Sequence, residues 1–179
     1  MSRRVKLTVA YDGTDYCGWQ IQPNGITVEE VLNKKISKLT GEDIRIIGAS
    51  RTDSGVHALG NVAVFDTESS IPPERMAYAL NQKLPDDIVI RQSCQVPDDW
   101  HPRYQDHVVK TYEYHIYNAK VRNPLKNRYS TFVSFDLDVE KMRQGAKYIL
   151  GEHDFASFCS ANSQAQTTVR TIYDCTYSA

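Results

Sequence analysis

The chain has 179 residues and a mass of 20.4 kDa, with 21 Lys+Arg against 22 Asp+Glu and a pI near 6.5. At roughly 100–200 residues per domain this is one large domain or two small ones, able to bury a core without disulfide or metal staples. Hydrophobic residues at 41% and charged residues at 24% exclude a disordered, collagen-like or coiled-coil chain, and no apolar run reaches the roughly 20 residues of a membrane span.

Val5, Leu7, Val9 and Tyr11 alternate with Lys6, Thr8 and Ala10, the period of a half-buried strand. Asp12 to Gly25 is a loop rich in Gly, Asp, Asn and Pro. Thr27-x-x-Glu30 is a capping box. Behind it Val28, Val31, Leu32, Ile36 and Leu39 form one helical face that Gly41 ends. Ile44 to Ile47 reads as a second strand and Val62 to Phe65 as a third. Pro72-Pro73 opens a helix carrying Met76, Ala77 and Leu80, and a fourth strand spans Ile88 to Cys94. The order strand, helix, strand, strand, helix, strand is that of a ferredoxin-like unit, a topology that by itself says little about function.

Residues 97–108 read as a linker. Beyond them Lys110 to Tyr117 alternates as a strand with Tyr112, Tyr114 and Ile116 on one face, and a short strand is expected near Thr131 to Val133. Asp138 caps a helix that buries Val139, Met142, Ala146, Ile149 and Leu150 and stops at Gly151. A last strand runs from Thr168 to Tyr177. The expected fold is therefore α+β: a ferredoxin-like βαββαβ domain over 1–100, holding a loop at 48–58, and a partial second α+β domain over 101–179 sharing a mostly antiparallel sheet.

The start of the chain has no signal-peptide apolar stretch. Cys17, Cys94, Cys159 and Cys175 form no C-x-x-C pair, so reduced thiols and a cytoplasmic protein are expected, with no metal site. Near-zero net charge argues against a wholly basic nucleic-acid binder. It leaves room for a local patch. Residues 101–130 carry Arg103, Lys110, Lys120, Arg122, Lys126 and Arg128 against Asp106 and Glu113, and 120–128 contains no acid.

The most informative stretch is Gly48-Ala49-Ser50-Arg51-Thr52-Asp53-Ser54-Gly55-Val56-His57. A hairpin needs only a short turn, yet this loop gathers a guanidinium, a carboxylate and an imidazole. Asp53 reads either as a capping aspartate paired with Arg51, or as a nucleophile or general base that Arg51 keeps ionised and aimed. His57 reads first as a structural histidine of the loop.

Ser50 to Ala58 resembles the G-R-T-D-A-G-V-H-A signature of the TruA-type tRNA pseudouridine synthases. Tyr11-Asp12-Gly13-Thr14 with Tyr16-x-Gly18-Trp19-Gln20 is similar to that family's opening loop. Phe65-Asp66-Thr67, Asn81-x-x-Leu84-Pro85-x-Asp87-Ile88, Asp99-Trp100-His101-Pro102-Arg103-Tyr104, Lys110-Thr111-Tyr112-Glu113-Tyr114 and Gly151-Glu152-His153-Asp154-Phe155-x-Ser157-Phe158 follow in the family's order. The resemblance implies an isomerase that converts uridine to pseudouridine at positions 38, 39 and 40 in the anticodon arm of tRNA, without metal or organic cofactor, as a homodimer. It implies Asp53 as the catalytic residue, Tyr112 as the ring that packs on the target base, and Arg51 as the arginine that pairs with the aspartate and helps fill the space of the flipped base. The basic segment 120–128 becomes a candidate for phosphate contacts.

Three residues depart from the family pattern: Ser50 for Gly, Ser54 for Ala, and Asn61 for Gln. The family also continues beyond the segment matching residue 179, so 101–179 is expected to be the first part of a truncated C-terminal domain. The rival reading, a non-catalytic RNA-binding module of the same fold, separates from the enzyme by the consequence of changing Asp53.

Overall fold

The first strand carries the alternation into the core. In a computed structural model that describes residues 2–105, 108–159 and 167–177, β1 (Arg3–Tyr11) buries Val5, Leu7, Val9 and Tyr11. The helix α1 (Val28–Thr40) begins at Thr27, whose side chain accepts from Glu30 N, and ends at Gly41 in the left-handed region (φ 76°). Its Val28, Leu32 and Ile36 are fully buried. β3 (Ala58–Thr67), α2 (Pro73–Asn81) and β4 (Ile88–Val96) follow. Ala63 and Phe65 of β3, Met76 and Leu80 of α2, and Ile88 and Ile90 of β4 join the β1 and α1 side chains in one core.

With β2 (Ile47–Gly48) the strands pair in the order β2-β3-β1-β4, every neighbouring pair antiparallel. The element order strand, helix, strand, strand, helix, strand is the one expected.

The second strand is shorter than the sequence reading of Ile44 to Ile47. Ile44 N donates to Ser37 Oγ and Ile46 N to Asn33 Oδ1, both at 2.9 Å, so two α1 side chains take the donors that a ladder would have used. Ile44 and Ile46 are buried all the same. Pairing with β3 starts only at Ile47 opposite Val64. β3 in turn is longer than expected, and its pairing with β1 slips between Val9, opposite Asn61, and Tyr11, opposite Ala58. This bulge lies where β3 leaves the 49–57 loop, and it brings Tyr11 under that loop.

The chain divides into two compact units, Met1–Thr111 and Tyr112–Ala179. Segment 97–105 is tied to the first: Arg103 Nε donates to Gly48 O at 2.8 Å and Arg4 to Trp100 O at 3.1 Å.

In the second unit the expected strand from Lys110 to Tyr117 contracts to β5 (Ile116–Asn118). Alternation alone makes no strand without a partner, and ladder contact begins only where Thr131 N donates to His115 O. β5 pairs in parallel with β6 (Thr131–Val133), the short strand expected there. The connection 119–130 is long enough for such a parallel crossover.

The helix α3 (Val139–Ala146) is capped by Asp138, whose side chain accepts from Lys141 N, and continues as a 3₁₀ turn through Ile149. Of its expected core face only Ala146 is buried; Val139, Met142 and Ile149 are half-buried and Leu150 exposed. β7 (Gly151–Asp154), which the sequence did not reveal as a strand, pairs antiparallel with β8 (Val169–Ile172), shorter than the expected Thr168 to Tyr177. The described strands of this unit form two two-stranded ribbons, β5-β6 and β7-β8. Asp106, counted in the basic segment's charge balance, lies outside the described residues. No helix among the described residues is long and apolar enough to cross a membrane.

Candidate active site

Residues 50–53 are held from below by two hydrogen bonds to backbone carbonyls and one between hydroxyls. Ser50 O accepts from Asn61 Nδ2 at 3.1 Å, and Thr52 O accepts from Trp19 N at 3.0 Å. The Thr52 hydroxyl lies 2.7 Å from the Tyr11 hydroxyl. With Thr52 anchored inward, Arg51 and Asp53 are both exposed. They line one cleft of about 420 Å³ together with Thr52 between them and with Cys17, Gln20, Ile21, Gln22 and Ser54. This cleft is built by the first unit alone. The one hydrogen bond of Asp53 among the described residues is through its backbone, whose carbonyl accepts from Val56 N at 3.2 Å. Its carboxylate is left open to the cleft.

The floor of the loop is the opening segment 12–20. Trp19 is buried, its ring centroid 5.8 Å from that of Tyr11. Gly48 lies against the indole: a Cβ there would sit 2.4 Å from Trp19 Nε1. Gly18, with φ +81°, passes so close to the loop that a Cβ would meet Thr52 O at 2.5 Å. Tyr16 O accepts from Gly55 N at 3.2 Å and from Ser54 Oγ at 3.3 Å, while its phenol donates to Asp87 Oδ1 at 2.7 Å. Burial first, and the neighbouring Asp87 second, push the Tyr16 phenol well above the usual tyrosine range. Burial likewise raises Tyr11. Both rings therefore stay neutral and act as hydrogen-bonding posts.

His57 closes the far end of the loop. Its Nδ1 lies 3.1 Å from Gly13 N and 3.0 Å from Asp12 Oδ1. A neutral ring protonated at Nε2 accepts from Gly13; a ring protonated at Nδ1 donates to Asp12 instead. Either way the imidazole clasps the loop to the 12–14 turn, where Thr14 N donates to Asp12 Oδ1.

Tyr112 begins the second unit, with 74% of its surface exposed. In the basic segment of that unit, Lys120 Nζ bonds Asp136 Oδ1 at 2.7 Å and the Arg122 guanidinium sits 4.9 Å over the Phe132 ring.

The sequence reading found Arg51 and Asp53, which the structure brings to one cleft, but did not find the posts beneath them. Tyr11, Trp19, Tyr16 and Asn61 act across 38 or 41 positions in the case of the two tyrosines, a distance that periodicity cannot see. For Tyr11, Tyr16 and Trp19 the only signal was that the Tyr11 to Gln20 motif and the 50–58 motif belong to one pattern; Asn61 showed only as a departure from it.

The comparisons with known proteins decide the family. A family model described as tRNA pseudouridine synthase matches residues 7–105 and 146–179. The chain belongs to the tRNA pseudouridine synthase family. It is similar to tRNA pseudouridine synthase A of Thermoanaerobacter sp. strain X514, 49% identical over 174 residues that make up 97% of this chain and 71% of the relative. The enzyme of the same name from Acetivibrio thermocellus is 52% identical over 172 residues, 96% of this chain and 70% of the relative. The one from Ruminiclostridium cellulolyticum is 48% identical over 171 residues, covering 96% and 69%. As a tRNA pseudouridine synthase the chain is an enzyme of the class that isomerises uridine in tRNA. The first matched range of the family model contains the whole Asp53 cleft. Tyr112 and the segment 120–128 fall between the two ranges.

Proposed function

We propose that this synthase converts uridine to pseudouridine at positions 38, 39 and 40 in the anticodon arm of tRNA, with Asp53 as the catalytic carboxylate. The observation that carries this reading is the open Asp53 carboxylate in a cleft shared with Arg51, on a loop whose neighbours are anchored from below.

The reaction breaks the bond between ribose C1′ and uracil N1, turns the detached base, and joins C1′ to C5. The C5 proton is released and N1 gains a proton, so the product is an isomer of the substrate. A carboxylate serves this sequence either as a nucleophile toward carbon or as a base toward a sugar proton. Both roles need an ionised group that reaches the substrate without first breaking a tight ion pair, and the exposure of Asp53 supports that. Arg51 lines the cleft beside it and fills space vacated by the flipped base. A uridine within a stem must leave its stack to reach such a site, and Tyr112 supplies a ring to replace the lost stacking. Lys126 and Arg128, with their neighbours in 120–128, contact tRNA phosphates. The enzyme works in the cytoplasm as a homodimer, and it needs neither metal nor organic cofactor.

Tritium release from tRNA labelled at C5 of uridine tests the reading, with wild-type protein beside Asp53→Ala and with substrates in which each of the three uridines is replaced in turn. Release that depends on Asp53 and on those positions is the expected result. Release that persists in Asp53→Ala, or that ignores all three positions, overturns it.

A further inference from the structure

Among the buried groups around the loop, one is a hydroxyl with no part in the proposed chemistry. Tyr11 is 5% exposed at the end of β1, beside the bulge that opens β3, and its hydroxyl meets Thr52 Oγ1 at 2.7 Å. We infer that the Tyr11 hydroxyl is a positioning residue for pseudouridine formation, fixing through Thr52 the direction in which Arg51 and Asp53 face the cleft. The inference rests on the reading of Asp53 as the catalytic carboxylate.

The geometry supports a positioning role in three ways. Thr52 stands between Arg51 and Asp53 and borders the same cleft, so a shift of its backbone once the Tyr11 bond is lost would displace both neighbours. The Tyr11 hydroxyl also hydrogen-bonds the Asn61 side chain, which holds Ser50 O, so one buried phenol supports the loop both at Ser50 and at Thr52. Tyr11 is itself braced by Trp19, so its hydroxyl is a fixed point rather than a mobile partner. A neutral phenol is retained across the working range because burial raises its pKa.

The test compares Tyr11→Phe, Thr52→Val, Thr52→Ser, the double variant Tyr11→Phe/Thr52→Val, and Asp53→Asn, all by tritium release with separate kcat and KM. Phe keeps the ring against Trp19 and Val keeps the shape of Thr, so each removes only a hydroxyl. Tyr11→Phe and Thr52→Val are expected to lower kcat by about 10- to 100-fold with KM within about threefold, the scale on which small misplacement of a reacting group acts. Thr52→Ser, which retains Oγ, is expected to restore most of the rate. The double variant is expected to be no worse than the poorer single one. A Tyr11→Phe enzyme with unchanged kcat, losses that multiply in the double variant, or a Thr52→Ser enzyme as slow as Thr52→Val overturns the inference. Should Tyr11→Phe fail to fold, the Thr52 pair carries the same test. Asp53→Asn separates the two levels: if it turns over, the reading beneath the inference falls. If it is inactive while Tyr11→Phe is fully active, the inference alone falls.

Discussion

Gly48→Ala probes the packing that sets the base of the loop carrying Arg51 and Asp53. The new methyl would lie 2.4, 2.7 and 2.8 Å from Trp19 Nε1, Cε2 and Cζ2, well inside van der Waals contact. The indole is only 1% exposed and has no room to retreat. Gly48 is held on two sides, by its pairing with Ala63 and by the Arg103 Nε bond to its carbonyl. Overpacking of this kind costs about 1–3 kcal/mol. For a chain of this length each kcal/mol lowers Tm by about 2–4 °C, so a fall of about 4–8 °C is expected for a cost near 2 kcal/mol. Differential scanning calorimetry on wild type, Gly48→Ala, Trp19→Phe and the double variant measures it. The smaller Phe ring relieves the clash, so the double variant should be more stable than the sum of the two single losses. A Gly48→Ala protein melting within about 1 °C of wild type, or strictly additive losses, would show that the close approach of Gly48 and Trp19 is not what shapes the loop.

Tyr16→Phe leaves Asp87 without its phenol donor and should cost about 1–3 kcal/mol by urea unfolding at pH 7. The same bond has a signature at high pH. Tyr16 is raised in the folded state, so as pH passes about 10 the unfolded chain loses its proton first and gains relative stability. Wild-type stability is therefore expected to decline from about pH 10 upward, and more steeply than that of Tyr16→Phe, in urea midpoints followed to pH 11. At the acid end, the hydrogen bonds from Arg4 hold the Asp66 carboxyl below its usual range. Its contribution is present above about pH 4 and lost as pH falls through the folded value, so Asp66→Asn should flatten the acid-unfolding profile. The effect is small, because the carboxylate is half exposed.

How much was legible in the sequence followed from the range of the interactions involved. β1, α1 and α2 were read correctly because alternation, a Thr27 cap, a Gly41 stop and a Pro-Pro start are local signals. The second strand was overread because Ile44 and Ile46 are buried as strand residues would be, while their N–H groups bond side chains of α1. Lys110 to His115 was overread for a different reason: period two reports a face, and a strand also needs a partner along its whole length. Of the site, Arg51 and Asp53 stood out as charged residues crowded into a loop longer than a hairpin requires. The posts beneath them were silent, since a tyrosine at a strand end and an asparagine after a loop have many ordinary explanations. Asn61, noted only as a shortened Gln, turns out to be buried and to hold Ser50 O.

The most direct measurement of the central claim is the rate of tritium release by Asp53→Asn against wild type on tRNA labelled at C5 of uridine, at saturating substrate. The substitution keeps the size of an exposed side chain and removes only its charge and basicity. The account predicts a fall of at least about 100-fold with tRNA binding and Tm unchanged. A variant that turns over within a few-fold of wild type would contradict it.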